Sequence, residues 1–387
     1  MIYLDNSATT RPYDEVIKEV RNTLPDFYQN PAALYPAAID VSRRVQGARL
    51  AVARLAGCSP KAVTFTSGGT ESDNTVIFGA VEKNKRVGKT IITDAVEHPA
   101  VLEPIKKLEQ SGYNVIRLGV DENCRINIEE FKEALSEDVI LITIMSVNNE
   151  VGTVMPINDL ATLTRNYFDK TGKKPPVVHT DAVQAFGKID LRDSEADFMS
   201  VSAHKIHGLK GMGATINRRE TSIPPYILGG GQESGNRSGT ENTTGIIAFG
   251  KACEIAYEGF DERQKYVSSL RTHLKSGIES EIRNIRINTP ETDTVPGILN
   301  VSFLGCRGEV ILHELETHGI CVSTGSACSS HKKGQSHVLK AMGLSNKEIE
   351  GAVRFSLSEF NTEAEIDVVV HHLKNAVNRF RKLGTFR

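Results

Sequence analysis

The sequence predicts an α/β protein: a large domain with a mostly parallel sheet flanked by helices, joined to a smaller α+β domain. Three observations predict it. From Val63 to Val201 short β-rich runs alternate with segments of helical period, the pattern of a parallel sheet whose crossovers are helices. Polar, chemistry-bearing residues cluster where those runs end, which is where open α/β sheets bind ligands. Beyond a Gly-rich stretch and a long helical segment, strands and helices recur in mixed order. A length of 387 residues suits one large domain and a smaller one.

Taken in order, Met1 to Asp14 reads as a strand and a loop. Asp14 to Leu24 reads as a short helix capped by Asp14 and ended by Pro25. Asn30-Pro31 opens a loop, and Ala37 to Gly57 has a helical period with Gly57 as C-cap. Strands follow at Val63 to Thr66, Thr90 to Thr93, Asn114 to Leu118, Val139 to Ser146 and Val177 to Thr180. Between them lie helices Glu71 to Val87, Ala100 to Gln110, Ile128 to Leu135 and Ile157 to Asp169. Strand Phe198 to Val201 runs into a Gly-rich turn, and Ile223 to Thr240 is Gly-rich and irregular. A long helix from Thr243 to about Ile285 breaks near Gly259. The smaller domain then carries strand Gly297 to Phe303, helix Gly308 to His318, strand Ile320 to Ser323, helix Ser336 to Met342, strand Ala352 to Ser356 and helix Glu363 to Leu383.

Composition excludes several classes. Forty-six basic and 48 acidic residues leave a net charge of −2, with no bulk attraction to nucleic acid or to a membrane. The longest apolar run, Val139 to Met145, falls far short of the ~18 residues that span a bilayer. Met1-Ile2-Tyr3-Leu4-Asp5 goes straight into strand-like sequence with no signal pattern, so a cytoplasmic location is expected. Cys58, Cys124, Cys253, Cys306, Cys321 and Cys328 include no CxxC pair and no zinc spacing. They are expected to stay reduced, five of them as packing residues.

The chemistry centres on Phe198 to Gly213. The strand stops at Ser202-Ala203-His204-Lys205. A lysine at the mouth of a strand, once desolvated, loses its proton easily and can attack an aldehyde. Ser202 and His204 could hold a phosphate beside it. The alternative is a surface lysine in a polar loop. Upstream, Val177-Val178-His179-Thr180-Asp181 is a second β-rich run that ends in a carboxylate. Such an Asp often caps a helix, yet beside Lys205 it suits the pyridinium nitrogen of pyridoxal phosphate (PLP).

Other strand ends add candidates. Thr66-Ser67-Gly68-Gly69-Thr70-Glu71 joins a strand to a helix, where Gly69 and the Thr70 hydroxyl could cradle a phosphate, although such turns also occur without a ligand. His98, after Glu97, could stack on a cofactor ring and move protons near neutral pH, or be structural. Asn148-Asn149-Glu150 marks a site or a tight turn, with an amide able to donate to a cofactor oxygen or a substrate carboxylate. Arg354, in a strand-like run, suits bidentate capture of a carboxylate or a structural ion pair. Cys328 sits among small, polar and basic residues, Ser323 to Gly334, which would favour an exposed thiolate nucleophile.

Together with Tyr3 to Thr10, Gly229 to Glu233, Arg237 to Thr240 and Arg354-Phe355-Ser356, these motifs resemble the NifS/IscS-type cysteine desulfurases, PLP enzymes of aminotransferase fold type I, over nearly the whole chain. The resemblance implies a seven-stranded-type sheet in a large domain, 15–254, with 1–14 and 255–387 as a small domain carrying the cysteine loop. It implies Lys205 as the cofactor-bearing lysine and acid/base, Asp181 as the pyridinium partner and Gln184 as the ligand of the phenolic oxygen. His98 would stack on the ring. Gly69, Thr70, Ser202 and His204 would form the phosphate cup, completed by Thr240 of a second subunit, hence a homodimer. Asn149 and Arg354 would grip the substrate carboxylate, Asn149 within reach of the cofactor. L-Cysteine would yield alanine and a Cys328 persulfide, passed to an acceptor protein of iron–sulfur cluster assembly or tRNA thiolation. No metal site is implied beyond a transient iron–sulfur contact at Cys328.

Two segments depart from many relatives, Lys332-Lys333-Gly334-Gln335-Ser336 after the cysteine and Asn30-Pro31-Ala32-Ala33-Leu34-Tyr35 near the start. They leave the catalytic set intact and bear on acceptor choice, since a basic loop suits an acidic partner or a tRNA-thiolation enzyme. Rival readings are a selenocysteine lyase, another fold type I PLP enzyme, and a non-catalytic scaffold. An aminotransferase has no use for Cys328, and a scaffold would have lost Lys205, Cys328 or Arg354.

Overall fold

The structure, a computed structural model, describes residues 1–324 and 335–383. Among the described residues the strands are β1 (Ile2–Tyr3), β2 (Val63–Thr66), β3 (Thr90–Asp94), β4 (Asn114–Leu118), β5 (Val139–Thr143), β6 (Val177–Asp181), β7 (Phe198–Ser202), β8 (Gly213–Asn217), β9 (Ile285–Ile287), β10 (Ile298–Phe303), β11 (Ile320–Cys321) and β12 (Ala352–Ser356). The helices are α1 (Asp14–Asp26), α2 (Pro36–Ala56), α3 (Gly69–Asn84), α4 (Pro99–Gln110), α5 (Ile128–Ala134), α6 (Ile157–Thr171), α7 (Thr243–Tyr257), α8 (Phe260–Glu281), α9 (Gly308–Thr317), α10 (His337–Ala341), α11 (Asn346–Glu350) and α12 (Glu363–Lys382). No helix among the described residues is long and apolar enough to cross a membrane.

Seven strands form the main sheet in the order β2-β8-β7-β6-β5-β3-β4. The β7-β6-β5-β3-β4 pairings are parallel, and β8 runs antiparallel to both of its neighbours. Successive side chains of a strand point to opposite faces, and both faces are dry here. Ile91, Leu141, Val177 and Phe198 pack with α3 and α4 residues such as Ile77 and Ile105. Their neighbours Ile92, Ile142, Val178 and Met199 pack on the other face with Val52 of α2, Leu160 of α6 and Phe249 of α7. That double burial explains the continuous apolar runs in the sequence. A three-stranded antiparallel sheet, β12-β10-β9, carries a separate apolar cluster with α8, α9 and α12, and Leu4 joins that cluster from the other end of the chain.

Several expectations need correction. Asp14 does not cap α1: Tyr13 occupies the cap position without a side-chain bond, and Asp14 lies in the first turn. Pro25 does not end α1, which runs to Asp26 with Phe27 N–H bonded to Thr23 O at 2.9 Å. The long helix does break at Gly259, where φ is +142°, but it ends at Glu281 and is followed by β9. Strand β8 and helix α11 were not foreseen. β8 begins with glycine at the end of a Gly-rich turn, and long-range pairing with β7 and β2 makes it a strand.

That strand depends on a close approach. A Cβ at Gly213 would lie 2.5 Å from Val201 O and 2.7 Å from Gly68 Cα, both backbone atoms. Gly213→Ala should therefore destabilise the protein by ~1–3 kcal/mol in urea unfolding. It should also weaken cofactor affinity, because the displaced Gly68 opens the turn that starts α3. An unchanged unfolding midpoint would refute the tight packing.

Candidate active site

Strand ends and one helix start converge on a single cavity with about 900 Å³ of empty volume to its open mouth. The register of β6 and β7 sets Asp181 opposite Ser200, so Ser202 and the following turn Ala203–Lys205 emerge at the same edge as Asp181. Gly69, Thr70, His98, Asn149, Asp181, Gln184, Ser202, His204, Lys205 and Arg354 all line the cavity. Thr240 is exposed and does not line it. Cys328 lies outside the described residues.

One end of the cavity is built for an anion. Gly68 occupies the N-cap of α3 and no side chain caps that helix, so its first amides lack helical acceptors and carry the positive end of the dipole. A Cβ at Gly69 would come within 2.6 Å of Val183 Cγ2, so glycine keeps the backbone open to a ligand. His204 Nδ1 lies 3.1 Å from Thr9 Oγ1. Burial first, then the charge of Lys205, pushes His204 down to about 4, so it is a neutral ring at physiological pH.

The other end gathers a carboxylate, an imidazole and a lysine. Asp181 accepts from Val183 N through Oδ1 at 2.9 Å. Burial raises its pKa, while the charges of His98 and Lys205 pull the other way. A protonated pyridine nitrogen would compensate this buried carboxylate. His98 caps α4, its Nδ1 accepting from Ala100 N at 3.1 Å. Burial lowers its pKa, so the ring is neutral and its proton sits on Nε2. Lys205 Nζ donates to Ser7 O at 2.5 Å and Ala8 O at 2.7 Å. The donor set, the open cradle and the buried carboxylate fit PLP.

Arg354 forms the structural ion pair that is one of the two readings made for it. Its Nη1 donates to Asn149 O at 2.9 Å and its Nη2 pairs with Asp5 Oδ1 at 2.8 Å, while its buried Nε has no hydrogen-bond partner. The guanidinium is thus fixed in direction with donors to spare. Asn148 makes the tight turn, its Oδ1 accepting from Glu150 N and Val151 N, and leaves Asn149 for the cavity.

Sequence reading missed the roles of Ser7 and Ala8, whose carbonyls hold Lys205, and of Asp73 in the cavity wall. A signal for Asp73 existed: it stands four residues after Gly69 on a helix, hence on the cavity-facing side. Asp73, Asp94 and Glu97 are buried acids behind the site, each with at least one carboxyl oxygen lacking a hydrogen-bond partner. Burial pushes Asp94 up to about 7, against backbone hydrogen bonds from Val96 and Glu97.

The sign follows from linkage. A raised carboxyl pKa favours the folded state while the group is protonated, and that stability is lost as pH rises from its ordinary 3.8 through about 7. Cofactor-free protein should therefore unfold more easily at about pH 8 than at about pH 5. Asp94→Asn keeps the Oδ1 acceptor for Val96 N and should flatten that slope in thermal unfolding. An equally steep slope in the variant would show that Asp94 is already ionised at pH 5.

With the geometry in place, known proteins can be compared. Residues 2–369 match the family Aminotransferase class-V. The cysteine desulfurase IscS of Clostridium botulinum is 39% identical over 387 aligned residues, covering 99% of this chain and 96% of the relative. A solved NifS-like protein superposes with a TM-score of 0.90 at 38% identity, covering 98% of this chain and 99% of the other. A solved structure of SspA in complex with cysteine superposes with a TM-score of 0.81 at 31% identity, covering 94% of this chain and 100% of the other. The chain belongs to the aminotransferase class-V family, in which it stands with the NifS- and IscS-like cysteine desulfurases.

Proposed function

We propose that this protein is a PLP-dependent cysteine desulfurase that takes sulfur from L-cysteine, releases L-alanine and holds the sulfur as a persulfide on Cys328. The observation that carries the reading is one cavity in which Lys205, Asp181, His98 and an uncapped helix start face a fixed guanidinium. The desulfurase relatives and the cysteine-bound SspA structure supply the substrate.

In this reading Gly69, Thr70, Ser202 and His204 hold the cofactor's phosphate, Asp181 its ring nitrogen and Gln184 its phenolic oxygen, with His98 against the ring face. Bound there, PLP supplies an electron sink for charge developing at the substrate's carbons. Arg354 and the Asn149 side chain bind and orient the substrate carboxylate. Lys205, once neutral, removes the proton from the substrate Cα and returns protons to the carbon skeleton. The Cys328 thiolate attacks the substrate sulfur: the S–S bond forms, the Cβ–S bond breaks, and its electron pair stays with the carbon skeleton, which is protonated to alanine. Residues 15–254 would be the cofactor-holding domain, and 1–14 with 255–387 the domain that brings Cys328.

The finer assignments rest on the same footing. Thr240 is exposed, in a loop held by the Arg237–Glu71 and Arg49–Glu233 pairs. Exposure away from its own cavity suits a phosphate ligand given to a second copy, hence a homodimer. The protein would work in the cytoplasm and pass its persulfide to an acceptor protein. Lys332 and Lys333 suit an acidic acceptor, or an enzyme of tRNA thiolation rather than an iron–sulfur scaffold. Pulldown followed by persulfide transfer decides: transfer only to an iron–sulfur scaffold would reverse that order.

The enzymatic test compares the parent with Cys328→Ala for sulfide and alanine release from L-cysteine with a reductant. Both proteins should be yellow, since Lys205 holds the cofactor without the thiol, and the variant should lose more than about a hundredfold in rate. Equal alanine from both would remove Cys328 and point to β-elimination or transamination. Arg354→Lys should lower kcat/KM by roughly 10- to 100-fold through loss of the two-pronged grip.

A further inference from the structure

Lys205 borders two cavities. Besides the site itself it lines a second, much smaller recess, bounded also by Lys188, His207, Arg263, Glu359 and Tyr13. Lys188 arrives there by a turn after β6: Gly187, with φ +72°, packs against Ile206, where a Cβ would come within 2.9 Å of Ile206 Cγ2. The Lys188 residue keeps some exposed surface, but its ammonium is held inside.

The Lys188 ammonium crosses the wall between the two spaces. Its Nζ donates to Gln184 Oε1 at 2.8 Å, and Gln184 Nε2 donates to Ser7 O at 2.9 Å, the carbonyl that Lys205 also uses. An ammonium has donors only, so it can meet nothing but the oxygen of the amide. That fixes which way Gln184 points: its NH₂ faces away, one N–H to Ser7 O and the second left for the site that Gln184 lines.

No carboxylate lies within ion-pair distance of Lys188 among the described residues. Lys205 and Arg354 face it with like charge, and Glu359 is the nearby anion. Glu359 is already taken, by Tyr13 Oη, by Arg263 Nε at 3.0 Å and by His207 Nε2 at 3.3 Å. Burial first, then the Lys205 and Arg354 charges, pushes Lys188 down to about 7.

We propose that Lys188 is a positioning residue for this reaction: it locks Gln184 as a hydrogen-bond donor toward an anionic oxygen in the site, and it places a positive charge behind Lys205 that favours Lys205 in its neutral, reactive form. The inference rests on the reading of Lys205 and Gln184 given above. Without Lys188 the amide can turn its oxygen to the site, where it would repel the cofactor's phenolic oxygen.

The test uses the full chain with its cofactor bound and no cysteine. The pH at which the absorbance of bound PLP changes reports the proton on the Lys205 nitrogen. In Lys188→Met that transition should move up by about one unit, because a like charge is gone. Lys188→Arg, which restores charge and donor, should return most of the shift. A yellow Lys188→Met protein with an unmoved transition overturns the proposal alone. A parent that never turns yellow overturns the reading of the site and this proposal with it. Should Lys188→Met fail to fold, the ¹³C resonance of the Lys188 ε-carbon in cofactor-free parent, assigned with Lys188→Arg, still decides. Titration below the ordinary value of about 10.4 but above the working pH supports the proposal, and titration at that value, or loss of the charge below the working pH, overturns it.

Discussion

The structure depends on a strap of a few residues near the amino terminus. Leu4 is buried in the apolar cluster of the three-stranded sheet. Asn6 Nδ2 donates to Ser356 O, and Ser7 N to Ser356 Oγ, both at 2.9 Å, at the end of β12. The same strap then crosses to the main sheet. Ser7 O and Ala8 O hold Lys205, Thr10 N–H bonds His204 O at 3.0 Å, and Tyr13 N–H bonds His207 O at 3.1 Å. A fully hydrogen-bonded stretch of this kind has little freedom to shift. It therefore sets the separation between Arg354, carried by β12, and Lys205, carried by the turn after β7. Arg354 and Lys205 are held in one frame by backbone groups and a few short side chains.

Around that frame the site gathers buried titratable groups. Asp73, Asp94, Glu97 and Asp181 are buried acids on one side, and Arg354, Lys205 and Lys188 are cations on the other. Burial raises the carboxyl pKa values and lowers that of Lys188. Such groups oppose folding unless something pairs with them. A ligand with a cationic ring at one end and a dianionic phosphate at the other supplies part of that pairing, so cofactor binding and stability are coupled. The same desolvation makes a lysine ammonium easy to deprotonate, leaving a neutral amine that can react.

Much of this was legible in the sequence because it is local. The apolar runs of β3, β5 and β6 announced a doubly covered sheet. Gly68-Gly69-Thr70, Asp181 and Lys205 stood at the ends of runs whose identity as strands needs only their own side chains. What escaped was non-local. β8 is a strand because β7 and β2 flank it. Asp5 matters because Arg354, far away in sequence, turns to it at 2.8 Å. Lys188 belongs to no motif in the sequence, and only the fold puts its ammonium on Gln184.

By itself, then, the sequence determined the class of fold, the kind of cofactor and the residue types that handle it, since each follows from short-range pattern and from motifs with intrinsic chemistry. The tertiary structure alone decided how charges face one another: which carbonyls hold Lys205, which way Gln184 presents its amide, and why His98 and His204 are neutral. Those properties depend on desolvation and on distances between segments that are remote in the chain, and no local pattern carries either quantity.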